Sequence, residues 1–195
     1  MIESGTYEAV AIGVSAGGIA ALEKILPRFA PDCGLVILVV QHMSPGGGHY
    51  LVEHFSSVCH LPVKEASDKE KSEAGTIYFA PADYHLLVEK QRTLALSMEA
   101  KVHYCRPSID VLFETAAEAY SGALAGVILT GANRDGARGL ARVKQLGGLS
   151  VVQSPETAEV DIMPRAAMDM AQVDCLLPLD RLGDFLAALN RRGKV

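Results

Sequence analysis

Apolar residues recur along this chain in two rhythms. Residues 8–13 (Glu8-Ala9-Val10-Ala11-Ile12-Gly13) and 35–40 (Leu35-Val36-Ile37-Leu38-Val39-Val40) are nearly continuous small or β-branched runs, the pattern of strands buried on both faces of a parallel sheet. Between them Ile19, Leu22, Ile25, Leu26 and Phe29 keep helical spacing, and Pro31 with Gly34 closes the predicted helix 19–29. A second helix is predicted over 50–59, a short strand over 75–81, and an antiparallel hairpin from 85–90 and 93–98 around Gln91-Arg92. The remaining chain reads helix 108–120, strand 124–130, helix 137–146, strand 149–153, helix 164–170, strand 174–177 and helix 179–189. Strands alternating with helices predict an α/β fold: a doubly wound, mostly parallel sheet with helices on both faces and the antiparallel hairpin at one edge. No internal repeat or linker interrupts the 195 residues, so 1–195 reads as a single domain.

Composition narrows the function classes. Eighteen Lys and Arg against 23 Asp and Glu give a formal charge of −5 with no basic stripe, which argues against nucleic acid as a partner. The longest apolar run, 35–40, is far short of the roughly 20 residues needed to cross a membrane, and no basic-then-apolar leader opens the chain, so no membrane insertion and a cytoplasmic protein are expected. Cys33, Cys59, Cys105 and Cys175 lie far apart without C-x-x-C spacing, and His49, His54 and His60 lack a completing carboxylate or cysteine set. Reduced thiols and no metal are the expectation.

Sheets of this kind place their sites at the carboxyl ends of the strands, which selects three loops: 13–18, 41–48 and 131–139. In the first, Ser15 stands between Gly13 and Gly17 where a strand turns into a helix, as in a nucleophile elbow. The amide of Ala16, just after the serine, would then be an oxyanion donor. A serine turn that merely caps a helix is the competing reading. Phosphate binding is disfavoured, because Gly13, Gly17 and Gly18 match neither G-x-G-x-x-G nor a G-K-[ST] ending. The second loop brings His42 to the end of the neighbouring strand, within reach of Ser15. The third offers Asp135 to orient that histidine, although an aspartate before Gly136 and a helix is also a good helix cap. Asp83, Asp110 and Asp161 are rivals outside this strand-end geometry.

Six blocks, in order, carry a resemblance: 11–18 (Ala-Ile-Gly-Val-Ser-Ala-Gly-Gly), Gln41-His42-Met43, Tyr78-Phe79-Ala80-Pro81, 106–113 (Arg-Pro-Ser-Ile-Asp-Val-Leu-Phe), Leu129-Thr130-Gly131 with Asp135-Gly136-Ala137, and Met163-Pro164-Arg165-Ala166-Ala167. Together they resemble the catalytic domain of CheB-type chemotaxis receptor methylesterases. The resemblance implies a cytoplasmic protein-glutamate methylesterase that demethylates γ-glutamyl methyl esters on chemoreceptor helices, with glutamine deamidation on the same sites. It maps the triad onto Ser15, His42 and Asp135 and implies neither metal nor organic cofactor. Arg106 and Arg165 fall in its blocks as candidate substrate contacts. Ala16 stands where the family usually has threonine and Ala132 where it usually has methionine, while Arg134 adds a charge beside the site. Few residues precede the first strand, so the receiver domain that such enzymes commonly carry is not expected to act in cis here; either the chain is a catalytic fragment, or it is a stand-alone esterase controlled by expression, by a partner in trans or through another substrate. Two other readings are a binding module that kept the fold without turnover and an esterase on a substrate outside chemotaxis.

Overall fold

The computed structural model describes residues 7–43 and 48–189. Part of the glycine-rich second loop, 44–47, and the chain ends lie outside them, as does the side chain of His49. Nine strands and six helices follow one another among the described residues. In chain order they are β1 (Ala9–Val14), α1 (Gly18–Ile25), β2 (Val36–Gln41), α2 (Gly48–Val58), β3 (Val63–Glu65), β4 (Thr76–Phe79), β5 (His85–Val88) and β6 (Leu94–Ser97). Then come α3 (Ile109–Tyr120), β7 (Leu124–Ile128), α4 (Ala137–Gln145), β8 (Leu149–Gln153), α5 (Ile162–Met170), β9 (Cys175–Leu177) and α6 (Leu179–Leu189).

Seven strands form one sheet in the order β3-β4-β2-β1-β7-β8-β9, every pair parallel. Because successive side chains of a strand point to opposite faces, the apolar runs feed two cores at once. Ala9 and Ala11 of β1 pack with Leu112 of α3, Val143 of α4 and Met163 of α5. Val10 and Ile12 pack with Leu22 of α1, Phe55 of α2 and Leu186 of α6. Helices therefore cover both faces, as the pattern predicts. From β1 the chain moves out to β2, β4 and β3, then returns to β7 on the other side of β1. That reversal opens a crevice at the carboxyl ends of β1 and β7, flanked by the end of β2.

Three local features differ from the sequence reading. The helix over 19–29 is α only to Ile25, and 26–28 tighten into a single 3-10 turn containing Pro27, which has no N–H to continue the α ladder. The antiparallel hairpin, β5 with β6, makes its own two-stranded sheet and packs Leu86, Val88 and Leu94 into the α3 core, leaving β3 and β9 as the edges of the large sheet. Strand β3 has no apolar run to announce it, being three half-exposed residues held by pairing with β4.

Candidate active site

The described residues of the three predicted loops meet at the crevice. The register pairs Val14 of β1 with Gln41 of β2, so Ser15 and His42 are the next residues along adjacent strands. The backbone then locks that edge. Ser15 N donates to the Thr130 carbonyl at 3.0 Å, His42 N donates to the Val14 carbonyl at 3.0 Å, and Gln41 Nε2 donates to the Ser15 carbonyl at 3.0 Å. Thr130 Oγ1 donates to the Ala16 carbonyl at 2.8 Å and accepts from Val160 N, tying the serine turn to the segment before α5.

The turn itself differs from a strained elbow in one respect. The left-handed backbone falls on Gly17, at φ 75°, rather than on Ser15. A side chain at Gly17 would also meet Glu159 at 2.7 Å, so glycine is required there on two counts. At Gly131 an added Cβ would lie 2.9 Å from Ser15 Cβ, which measures how closely the third loop approaches the serine. Ala16 is exposed, and its N–H makes no hydrogen bond among the described residues, leaving a donor one residue after Ser15.

Asp135 is fully buried and takes four donors. Its Oδ2 accepts from His42 Nε2 at 2.8 Å and from Ile109 N at 2.7 Å; its Oδ1 accepts from Ser108 Oγ at 2.8 Å and Asp110 N at 3.0 Å. Two of those donors are backbone amides at the start of α3, whose dipole favours an anion. Asp135 is thus a helix cap, but of α3 rather than of α4, the helix that follows it in sequence. The service is returned: Asp110 Oδ1 accepts from Gly136 N at 3.0 Å and Gly139 N at 2.7 Å, at the start of α4. Two helix N-termini exchange carboxylates across their contact.

These partners set the charges. Burial pushes the Asp135 carboxyl up, but the hydrogen bonds from His42 and from the Asp110 and Ile109 amides prevail and hold it below the usual carboxylate range. Burial pulls the His42 imidazole down, yet its bonds to Asp135 and Cys105, with the charge nearby, outweigh this and raise it from 6.5 to about 9. Burial raises Asp110; the Gly139 amide opposes this and the Asp135 charge adds to it.

With Nε2 committed to Asp135, the second nitrogen of His42 faces a group the sequence did not single out. Cys105 Sγ lies 3.7 Å from Nδ1, and Asn133 Nδ2 lies 3.4 Å from both Nδ1 and Sγ. The serine hydroxyl makes no hydrogen bond to His42. Cys105 closes a tight turn in which His103 and Tyr104 both have positive φ, 48° and 63°, a geometry that favours Asn-Gly and is costly for these residues. Beside it a cleft of about 110 Å³ is lined by His42, Asp83, Lys101, Tyr104, Cys105 and Arg106 among others, and Tyr104 stands almost fully exposed. The ligand atoms of His42, Cys105 and Asp135 lie within 4.8 Å of one another, the one such group of three metal-capable side chains among the described residues.

The two arginines part company. Arg106 lines the cleft, but its guanidinium makes four hydrogen bonds, to Asp83 Oδ1 and the Met98 and Glu99 carbonyls, so it braces the cleft wall. Arg165 is exposed on α5 and pairs with Asp161 one turn earlier at 2.6 Å. His54 likewise pairs outward, with Glu23 at 2.7 Å. No helix among the described residues is long and apolar enough to cross a membrane.

The model of the CheB methylesterase family matches residues 10–186, a span that contains every residue of this crevice. The chain belongs to the CheB methylesterase family. A crystal structure of the Thermotoga maritima CheB methylesterase catalytic domain superimposes with a TM-score of 0.91 at 34% identity, covering 95% of this chain and all of that one. A relative from Leptospira interrogans serovar copenhageni is 46% identical over 95% of this chain and 96% of its own length. The protein-glutamate methylesterase/protein-glutamine glutaminase of Pyrococcus horikoshii is 38% identical over 89% of this chain, which spans 48% of that longer protein. The CheB methylesterase fold therefore accounts for both cores and the crevice between β1 and β7.

Proposed function

We propose that the chain is a serine-dependent protein-glutamate methylesterase, acting on γ-glutamyl methyl esters of chemoreceptor cytoplasmic helices and on glutamine at the same sites. The single observation that carries the reading is the Asp135-His42 pair, buried beside Ser15 at the strand ends of a CheB-family sheet. In this reading Ser15 Oγ attacks the ester carbonyl and His42 takes its proton. Since Nε2 is held by Asp135, the accepting atom is Nδ1, and substrate binding must draw that nitrogen from Cys105 towards Ser15. Such tightening on substrate binding is common, catalytic contacts being loose in free enzymes. The Ala16 N–H stabilises the oxyanion, the imidazolium returns its proton to departing methanol, and water releases the glutamate by the reverse path. The chemistry needs no cofactor, and its substrate is reached in the cytoplasm without membrane insertion.

The test is methanol release from a methylated chemoreceptor preparation. The native chain is expected to release methanol and Ser15→Ala to lose at least roughly a thousandfold in rate while remaining folded by circular dichroism. Full hydrolysis by Ser15→Ala overturns the serine mechanism. Stable receptor binding without turnover by the native chain favours a docking module, and preferential turnover of a small ester favours a substrate outside chemotaxis.

A further inference from the structure

Cys105 Sγ and His42 Nδ1 are two electron-pair donors 3.7 Å apart. A tetrahedral zinc ion, with about 2.3 Å to sulfur and about 2.0–2.1 Å to nitrogen, sets its S and N ligands about 3.6 Å apart. The pair therefore already has the bite of a metal chelate. An electropositive group already occupies the position facing both, since Asn133 Nδ2 is 3.4 Å from each. Asp135 completes the pattern from behind. A metal-bound imidazole usually donates its other N–H to a carboxylate, which fixes the tautomer and strengthens the ligand. Here Asp135 Oδ2 accepts from Nε2 at 2.8 Å, which in the neutral imidazole leaves the lone pair on Nδ1. With four donors on its two oxygens, Asp135 is the orienting group rather than a ligand. The cleft on the other side, lined by both His42 and Cys105, leaves room for an ion beside them.

We propose that Cys105 and His42 form a two-ligand site for a soft divalent transition-metal ion such as Zn²⁺, and that its occupation switches the esterase off. The inhibitory half rests on the function proposed above; the binding half does not. Metal binding takes the protons from both ligand atoms: the Cys105 S–H bond breaks and, where the imidazole is protonated, the Nδ1–H bond breaks too, each proton leaves to solvent, and Sγ and Nδ1 each donate a pair to the metal, water filling the remaining positions. No oxidant or reductant is required. Inhibition follows because the nitrogen that must accept the Ser15 proton is then occupied.

Co²⁺ is the spectroscopic probe. Titrated into the reduced, metal-free full chain, it is expected to give a near-ultraviolet sulfur-to-cobalt charge-transfer band saturating at one equivalent. That band should be lost in Cys105→Ser and weakened at least about tenfold in His42→Gln, both checked for folding by circular dichroism. Zn²⁺ should displace it and reduce ester turnover over the same concentration range. Absence of the band in the native chain, or its persistence in Cys105→Ser through Cys33, Cys59 or Cys175, overturns the site. Zinc that fills the site without slowing turnover overturns the switch. Lack of turnover in metal-free protein refutes the esterase reading and leaves the cobalt result to judge the site by itself.

Discussion

Asp135 and Ser15 lie beyond adjacent strands of one sheet, yet their surroundings are opposite. The aspartate is sealed in, with three hydrogen bonds from the start of α3 and one from a histidine. The serine turn is pinned only through its backbone, with its hydroxyl not bonded to His42 and the next N–H exposed. In the proposed reading, one side of the crevice is finished before any substrate arrives and the other is completed by it. Groups that bear charge need a preorganised cage, because an unpaired buried carboxylate is costly. A neutral hydroxyl carries no such penalty and can wait.

The sharpest way to break this contrast is to remove each group. Asp135→Ala should slow ester turnover roughly ten-thousandfold and also destabilise the fold by about 3–5 kcal/mol, since it strips the start of α3 and His42 of their acceptor. Ser15→Ala should match or exceed that loss of rate while leaving stability within about 0.5 kcal/mol. Denaturant melts alongside the methanol assay separate the two. Equal stability losses would erase the distinction between a caged and an open side.

A smaller effect comes from pH. His42 must be neutral to accept a proton, and its pKa is raised to about 9. Turnover should therefore climb about tenfold per unit as pH rises from 7 and level off above about 9. Stability runs the other way at that end. The His42 contribution is complete below the ordinary imidazole value of 6.5 and is lost as pH rises through about 9. The lowered Asp135 contributes fully above its ordinary 3.8 and loses its contribution as pH falls through its folded value. A pH series of chemical denaturation should show a plateau between 3.8 and 6.5 from this pair.

The smallest effect separates the arginines. Arg106→Ala should lower stability by about 1–3 kcal/mol and raise KM, because it frees Asp83 and two carbonyls at the cleft wall. Arg165→Ala, on an exposed side chain, should leave the melting temperature unchanged, and a KM effect there would identify a direct substrate contact.

The large sheet was legible because strands buried on both faces must be apolar almost throughout, and β1, β7 and β2 up to Val40 are. Their loops could then be ranked by where such sheets put their sites, which led to Ser15, His42 and Asp135. What stayed hidden depends on contacts between distant segments. Cys105 reaches His42 across 63 positions of sequence by way of a turn with two unfavourable φ angles, and no periodicity marks such a turn. Local pattern likewise suggested Asp135 as the cap of the helix beginning just after it, whereas the packing of α3 on α4 crosses the caps. Asp110, set aside as a rival on sequence, is the other half of that exchange. Strand β3 was missed because its burial comes from a neighbour rather than from its own residues.

The crossed caps have a consequence for descent. A lineage that gave up hydrolysis and kept the fold would still be under selection to retain Asp135, because the start of α3 depends on it for its cap. It could lose Ser15 freely. Among kindred sequences, then, and on the serine mechanism proposed above, the aspartate reports on architecture and the serine on chemistry, and a copy bearing the first without the second is more informative about lost activity than the reverse.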